Sequence, residues 1–124
     1  MTREQLARAA VEGVVANLLA GAEDLPADAD GRVFLIGGGA RSRAYQQVAA
    51  DLLGRPVIVT DAEELVARGA ALQAAAVLTG RPFAELAEAW ALDRGRVVEP
   101  DATVDAAAIR AAHAQAANHE VASR

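Results

Sequence analysis

The run Val33-Phe34-Leu35-Ile36, followed at once by Gly37-Gly38-Gly39, constrains this chain more than any other stretch. Four consecutive apolar residues rich in branched types read as a strand covered on both faces, because a half-exposed strand alternates with polar residues. Such strands belong to parallel sheets. Three glycines directly after it let the backbone turn sharply and leave bare peptide for a ligand to lie against. Ser42 then suits the N-cap of a helix over residues 43–53, since its hydroxyl can accept from an orphan N–H of the first turn. Strand, glycine turn and helix N-terminus form a geometry that often receives a nucleotide.

At 124 residues the chain is one domain or a piece of one. It is 53% hydrophobic but only 3% aromatic, so Ala, Val and Leu must build the core, which favours close-packed helices. A net charge of −5 argues against nucleic acid or an anionic membrane as partner. Cysteine is absent, which excludes disulfides, thiolate catalysis and Cys-ligated zinc and fits a reducing cytoplasm. All 12 basic residues are arginine, so a P-loop lysine and Schiff-base chemistry are excluded together. No apolar run approaches the length of a membrane span, and the first residues lack the order of a signal peptide.

Taken in order, Thr2 and Gln5 have the spacing of a capping box, and Leu6, Ala10, Val14 and Leu18, widened by Val11 and Val15, predict a helix to about residue 20. Residues 22–31 read as a solvated loop, and its acids Glu23, Asp24, Asp28 and Asp30 as loop charge in preference to metal ligands. After the glycine turn, Tyr45, Val48, Ala49 and Leu52 share a helical face that stops at Gly54, and Val57-Ile58-Val59 is the next strand. Two strands joined through a helix imply a parallel crossover. Thr60 with Glu63, or Asp61 with Glu64, offers a capping box for an alanine-rich helix over residues 62–78, whose interior Gly69 implies close approach to a neighbour. Phe83, Leu86, Ala87 and Trp90 form a short amphipathic helix, residues 96–100 an extended edge segment ending in Pro100, and residues 105–120 a weakly determined last helix.

No hydrolase, zinc-protease or paired-acid motif is present, and His113 and His119, six apart, read as exposed side chains near the end of the chain. Catalytic residues and metal ligands are therefore not expected here. Arg41 and Arg43 beside the turn could stack on a base or attract phosphate. Gly37-x-Gly39-x-x-Ser42, with Asp61 closing the next strand, also partly matches a dinucleotide fingerprint whose third glycine is replaced, so a Rossmann module binding NAD(P) stays open.

The stretches LIGGGARSRAYQQVAADLLGRPVIV and EELVARGAALQAAAVLTG, followed by VVEPD, resemble the C-terminal half of bacterial FGGY-family carbohydrate kinases, most of all the xylulokinases. The resemblance rests on the glycine turn, its spacing to Gly54-Arg55-Pro56-Val57, the segment Glu64, Ala67, Gly69, Ala70, Ala71, and the closing Glu99-Pro100-Asp101, all in the family's order. It implies an α/β fold that is part of a ribonuclease H-like, actin-type ATPase domain, helix-rich around a short parallel sheet. Residues 1–124 would be the nucleotide-binding portion of the C-terminal domain, with the N-terminal sugar-binding domain, its aspartate base and the phosphate-handling hairpin absent. ATP with Mg2+ would be the cofactor pair and a sugar, D-xylulose first, the acceptor. The resemblance puts the backbone of Gly38, Gly39 and Ala40 against adenosine, with Ser42 or Arg43 near the base and Gly37 shaping the turn. A branched side chain at Gly39 would then crowd the adenosine and resist the turn's dihedrals. In this family Asp61 would cap a helix. The fragment alone would be inactive, and a non-catalytic oligomerisation piece, pairing with a second copy, is the remaining alternative.

Overall fold

The computed structural model describes residues 1–22, 31–60, 62–92 and 94–122. Helix α1 spans Arg3–Ala22, strand β1 Phe34–Leu35, α2 Arg43–Leu53, β2 Val57–Val59, α3 Leu65–Thr79, α4 Phe83–Ala89, β3 Arg96–Val98 and α5 Ala106–Ala122, with a 3-10 turn at Gly38–Arg41 ahead of α2. The expected box opens α1: Thr2 N–H donates to Gln5 Oε1 at 2.8 Å and Gln5 N–H to Thr2 Oγ1 at 3.2 Å. Asp105 caps α5 by accepting from Ala108 N–H at 2.9 Å.

The sheet runs β1-β2-β3. β1 and β2 are parallel, Phe34 opposite Ile58 and Leu35 opposite Val59, as the crossover requires. β3 joins the other side of β2 antiparallel, Val98 opposite Val57 and Arg96 opposite Val59, so the sheet is mixed and not all-parallel. The reason is the connection: α3 and α4 return the chain to the far end of β2, and residues 96–98 run back along it. Gly95 makes that return possible, because a Cβ there would sit 2.5 Å from Val59 O.

Helix α2 lies between two apolar clusters. On one side Val48, Ala49 and Leu52 pack with Val15 and Ala16 of α1, joined by Ile109 of α5. On the other, Ala50 packs with Val57, Val59 and Val98 of the sheet. The stripe of α1 that enters the core is Val11, Val15 and Leu19, while Leu6, Val14 and Leu18 stay exposed. Because α1 is apolar on most of its circumference, periodicity alone could not choose between adjacent stripes, and the inner face is rotated from the expected one. β1 is only half-buried and Ile36 is exposed, so the strand is not covered on both faces as expected.

α3 departs from expectation twice. It begins at Leu65 after Glu64, which adopts a left-handed conformation with φ 52° and no side-chain cap. Thr60 Oγ1 instead accepts from Ala62 N–H at 3.0 Å, closing a local turn. Asp61, proposed as cap or ribose ligand, and the acids Glu23, Asp24, Asp28 and Asp30 lie outside the described residues. Gly69 meets nothing within 4 Å of where a Cβ would stand, so no neighbour among the described residues uses its smallness. None of the helix's residues is buried, and Val66 and Val77 are each 88% exposed. Among the described residues no helix is long and apolar enough to cross a membrane.

Buried Asp51 ties the layers together. Its Oδ1 accepts from Asp101 N–H and Gln47 Nε2, each at 2.8 Å, and Oδ2 lies 3.8 Å from the Arg8 guanidinium. Asp51→Ala orphans a backbone donor and is expected to cost about 2 kcal/mol in chemical denaturation, whereas Asp51→Asn, keeping an acceptor for Asp101, should cost less than half of that. Asp101 in turn accepts from Thr103 Oγ1 at 2.7 Å and Thr103 N–H at 2.9 Å. These bonds, the hydroxyl first, hold its carboxyl below the usual 3.8. A carboxylate so lowered contributes stability above the usual value and loses it as pH falls through its folded pKa. Thr103→Ala should therefore raise the Asp101 pKa toward the usual value in an NMR titration, and an unmoved pKa would contradict this.

Candidate functional site

A cavity opens where the glycine turn leaves the sheet. Its volume is about 660 Å³, and Ile36, Gly37, Gly38, Ala40, Thr60 and Val66 are among the residues around it. That volume lies within the range of about 300–1,000 Å³ common for small-molecule sites. The position follows from topology: the cavity sits beyond the carboxyl ends of the parallel strands β1 and β2, where open α/β sheets take ligands.

The floor is the turn. Gly37 has φ 89° and ψ −171°, a conformation essentially confined to glycine. The next residues coil into the 3-10 turn, with Ala40 N–H donating to Gly37 O at 3.1 Å and Ser42 N–H to Gly39 O at 3.0 Å. Ser42 caps α2 as expected, its hydroxyl accepting from Tyr45 N–H at 3.4 Å. Apolar walls come from Leu35, Ile36, Val59, Leu65 and Val66, and a polar rim from Arg41, Thr60, Glu63 and Glu64. Flat apolar walls over bare peptide suit an aromatic ring system, and hydroxyls and carboxylates at the rim suit sugar hydroxyls.

Of the residues expected at a nucleotide site, Gly37, Gly38 and Ala40 line the cavity. Gly39, Ser42 and Arg43 do not; Ser42 is engaged by α2, and Arg41 takes the cavity-facing place considered for either arginine. The reason expected for Gly39 also changes. The dihedral demand falls on Gly37, whereas a Cβ on Gly39 would press at 3.2 Å on the Tyr45 ring. Sequence reasoning missed Thr60, Glu63, Leu65, Val66 and Gln46. No sequence signal singles out Gln46, because the first half of α2 also carries Arg43, Tyr45 and Gln47.

The partial dinucleotide fingerprint is not supported by this geometry, since its third position is Ser42, a helix cap, and the third strand is antiparallel. His113 is half-buried beside a smaller groove of about 260 Å³ between α1 and α5, not fully exposed as expected. Among the described residues no group of three acidic or histidine side chains could hold a metal ion.

Residues 1–78 match the family model described as "FGGY family of carbohydrate kinases, C-terminal domain". The xylulose kinase of Streptomyces coelicolor is 49% identical over 102 residues, covering 79% of this chain and 21% of the relative. That of Streptomyces rubiginosus is 48% identical over 101 residues, with the same coverage. The chain thus spans about a fifth of the length of the curated relatives it matches.

The two glycines should separate experimentally. Gly37→Ala should destabilise the fold by about 1–3 kcal/mol through its backbone alone. Gly39→Ala should cost less than Gly37→Ala, because its dihedrals suit any residue and only the Tyr45 side chain has to give. Equal losses in denaturant titrations would contradict the placement of the strain.

Proposed function

Because this chain belongs to the FGGY family of carbohydrate kinases through the family's C-terminal domain, we propose that it forms the adenosine-binding side of an ATP cleft in a cytoplasmic kinase that phosphorylates a sugar. Its similarity to xylulose kinases of Streptomyces makes D-xylulose, converted to xylulose 5-phosphate, the acceptor of this proposal. The observation that carries the reading is the cavity itself: bare glycine backbone, apolar walls and a hydroxyl and carboxylate rim, all within the residues that match the family.

In this reading the backbone at Gly37, Gly38 and Ala40 lies against the nucleoside, Ile36 and Val66 sandwich the base, and Thr60 with Glu63 meets the ribose. Gly39, Ser42 and Arg43 act from behind, shaping the turn and the helix it feeds. Phosphoryl transfer depends mainly on holding acceptor and γ-phosphate in line and on neutralising charge, so a domain can be essential by positioning alone. Mg2+ would accompany the phosphates, and no group of three or more acidic or histidine side chains among the described residues is gathered to hold it. The acceptor sugar and the base that receives its proton belong to the rest of the kinase. The exposed apolar side chains Val77 and Leu78 at the far end of α3 are the surface left for that remainder to cover.

Two experiments test the proposal. Calorimetric titration of the chain with ATP and with NAD should show preference for ATP; preference for the dinucleotide would favour the Rossmann reading. Replacing the matching fifth of the Streptomyces coelicolor enzyme with this chain should give a hybrid that phosphorylates xylulose, while the chain alone with ATP, magnesium and xylulose shows no turnover. Turnover by the chain alone would reveal a catalytic base within it and overturn the division of labour.

A further inference from the structure

We propose that Gln46 is a positioning residue for the glycine turn, and that Arg96, reaching across from β3, fixes the direction in which its amide points. The inference rests on the nucleotide reading of the cavity and assigns a residue pair that reading does not use. Gln46 is only 6% exposed and stands beside the cavity in the first half of α2. Its Nε2 donates to Ala40 O, the carbonyl of the buried residue at the centre of the 3-10 turn, at 2.5 Å. Its Oε1 accepts from an Arg96 Nη2 at 2.5 Å.

The donors and acceptors leave one solution. A guanidinium only donates and a backbone carbonyl only accepts, so the amide must turn its oxygen to Arg96 and its nitrogen to Ala40. Without Arg96 the buried Gln46 Oε1 is left without a donor and the amide is less firmly held on the turn, and without the amide the Ala40 carbonyl loses its donor. Arg96 is held where it can do this. Gly95 is pressed on Val59 O, Arg96 pairs with Val59, and the following segment is fastened to α2 by Gln47 Nε2 donating to Glu99 O at 3.0 Å and by Asp51 accepting from Asp101 N–H. The position of the edge strand is thereby transmitted to the turn through two hydrogen bonds. Arg96 lies beyond residues 1–78, the part that matches the family model.

Gln46→Glu is the informative variant. It has nearly the same shape and binds Arg96 at least as well, but faces the Ala40 carbonyl with a second oxygen. Arg96→Met leaves Gln46 Oε1 without its donor and loosens the amide, and Arg96→Lys restores a donor. In the full chain, NMR hydrogen exchange at the Ala40 and Ser42 amides should speed up about tenfold in Gln46→Glu and Arg96→Met, while Ala50 and Leu52 within α2 keep the wild-type rate. ATP affinity by calorimetry should fall by a similar factor, and Arg96→Lys should recover most of both. Unchanged exchange in the turn, or equal acceleration in the turn and in α2, would overturn the proposal. So would unchanged ATP affinity in Gln46→Glu when the wild type binds ATP. Failure of the wild type to bind ATP would instead overturn the kinase reading, and the exchange comparison would still decide whether Gln46 holds the turn.

Discussion

The burial of α2 on both sides is the constraint from which the rest of the structure follows. A helix placed between a sheet and a helical layer has little solvent-facing surface, and its small residues, Ala49 and Ala50, let both layers approach closely. Any polar residue it carries must then be satisfied by protein. Gln46, Gln47 and Asp51 meet that requirement by reaching Ala40, Arg96, Glu99 and Asp101, so the polar residues of one helix fasten the turn before it and the edge strand beyond it. The cavity is a consequence of the same arrangement, since the glycine turn that feeds α2 has to cross the carboxyl end of the parallel pair.

Local chemistry was legible in the sequence wherever one residue decides the outcome. The Thr2 and Gln5 box, the Ser42 cap, the bounds of α2 and the strand Val57–Val59 needed only side-chain oxygens at fixed offsets or a short branched run between breakers. The fold class was legible through resemblance, and family membership carries the ribonuclease H-like, actin-type assignment with it. What remained illegible depends on partners distant in sequence. The rotation of α1 is chosen by α2, the antiparallel β3 by the return through α4, and the need for Gly95 by Val59, 36 positions earlier.

The site divides in the same way. That bare peptide would be offered at the glycine run was legible, because it is a local property of a turn after a strand, whereas Ala40 was named only through the resemblance and Gly39, named with it, does not line the cavity. The walls from Val66 and Leu65 and the rim from Thr60 and Glu63 were not legible, because they depend on how α3 starts. That start is shifted by the left-handed Glu64, which no cap signal foretold. Gly39 shows why residue type alone misleads: three neighbouring glycines look equivalent, yet one answers to a dihedral angle and another to an aromatic ring.

The central claim is that an adenine nucleotide lies on the glycine turn beyond β1 and β2. The most direct measurement is an amide NMR map of the chain titrated with a non-hydrolysable ATP analogue. The account predicts the largest shifts at Gly37, Gly38, Ala40, Leu65 and Val66, with the groove around Asn17 and His113 unmoved. Shifts confined to that groove, or to the α5 face, would contradict it.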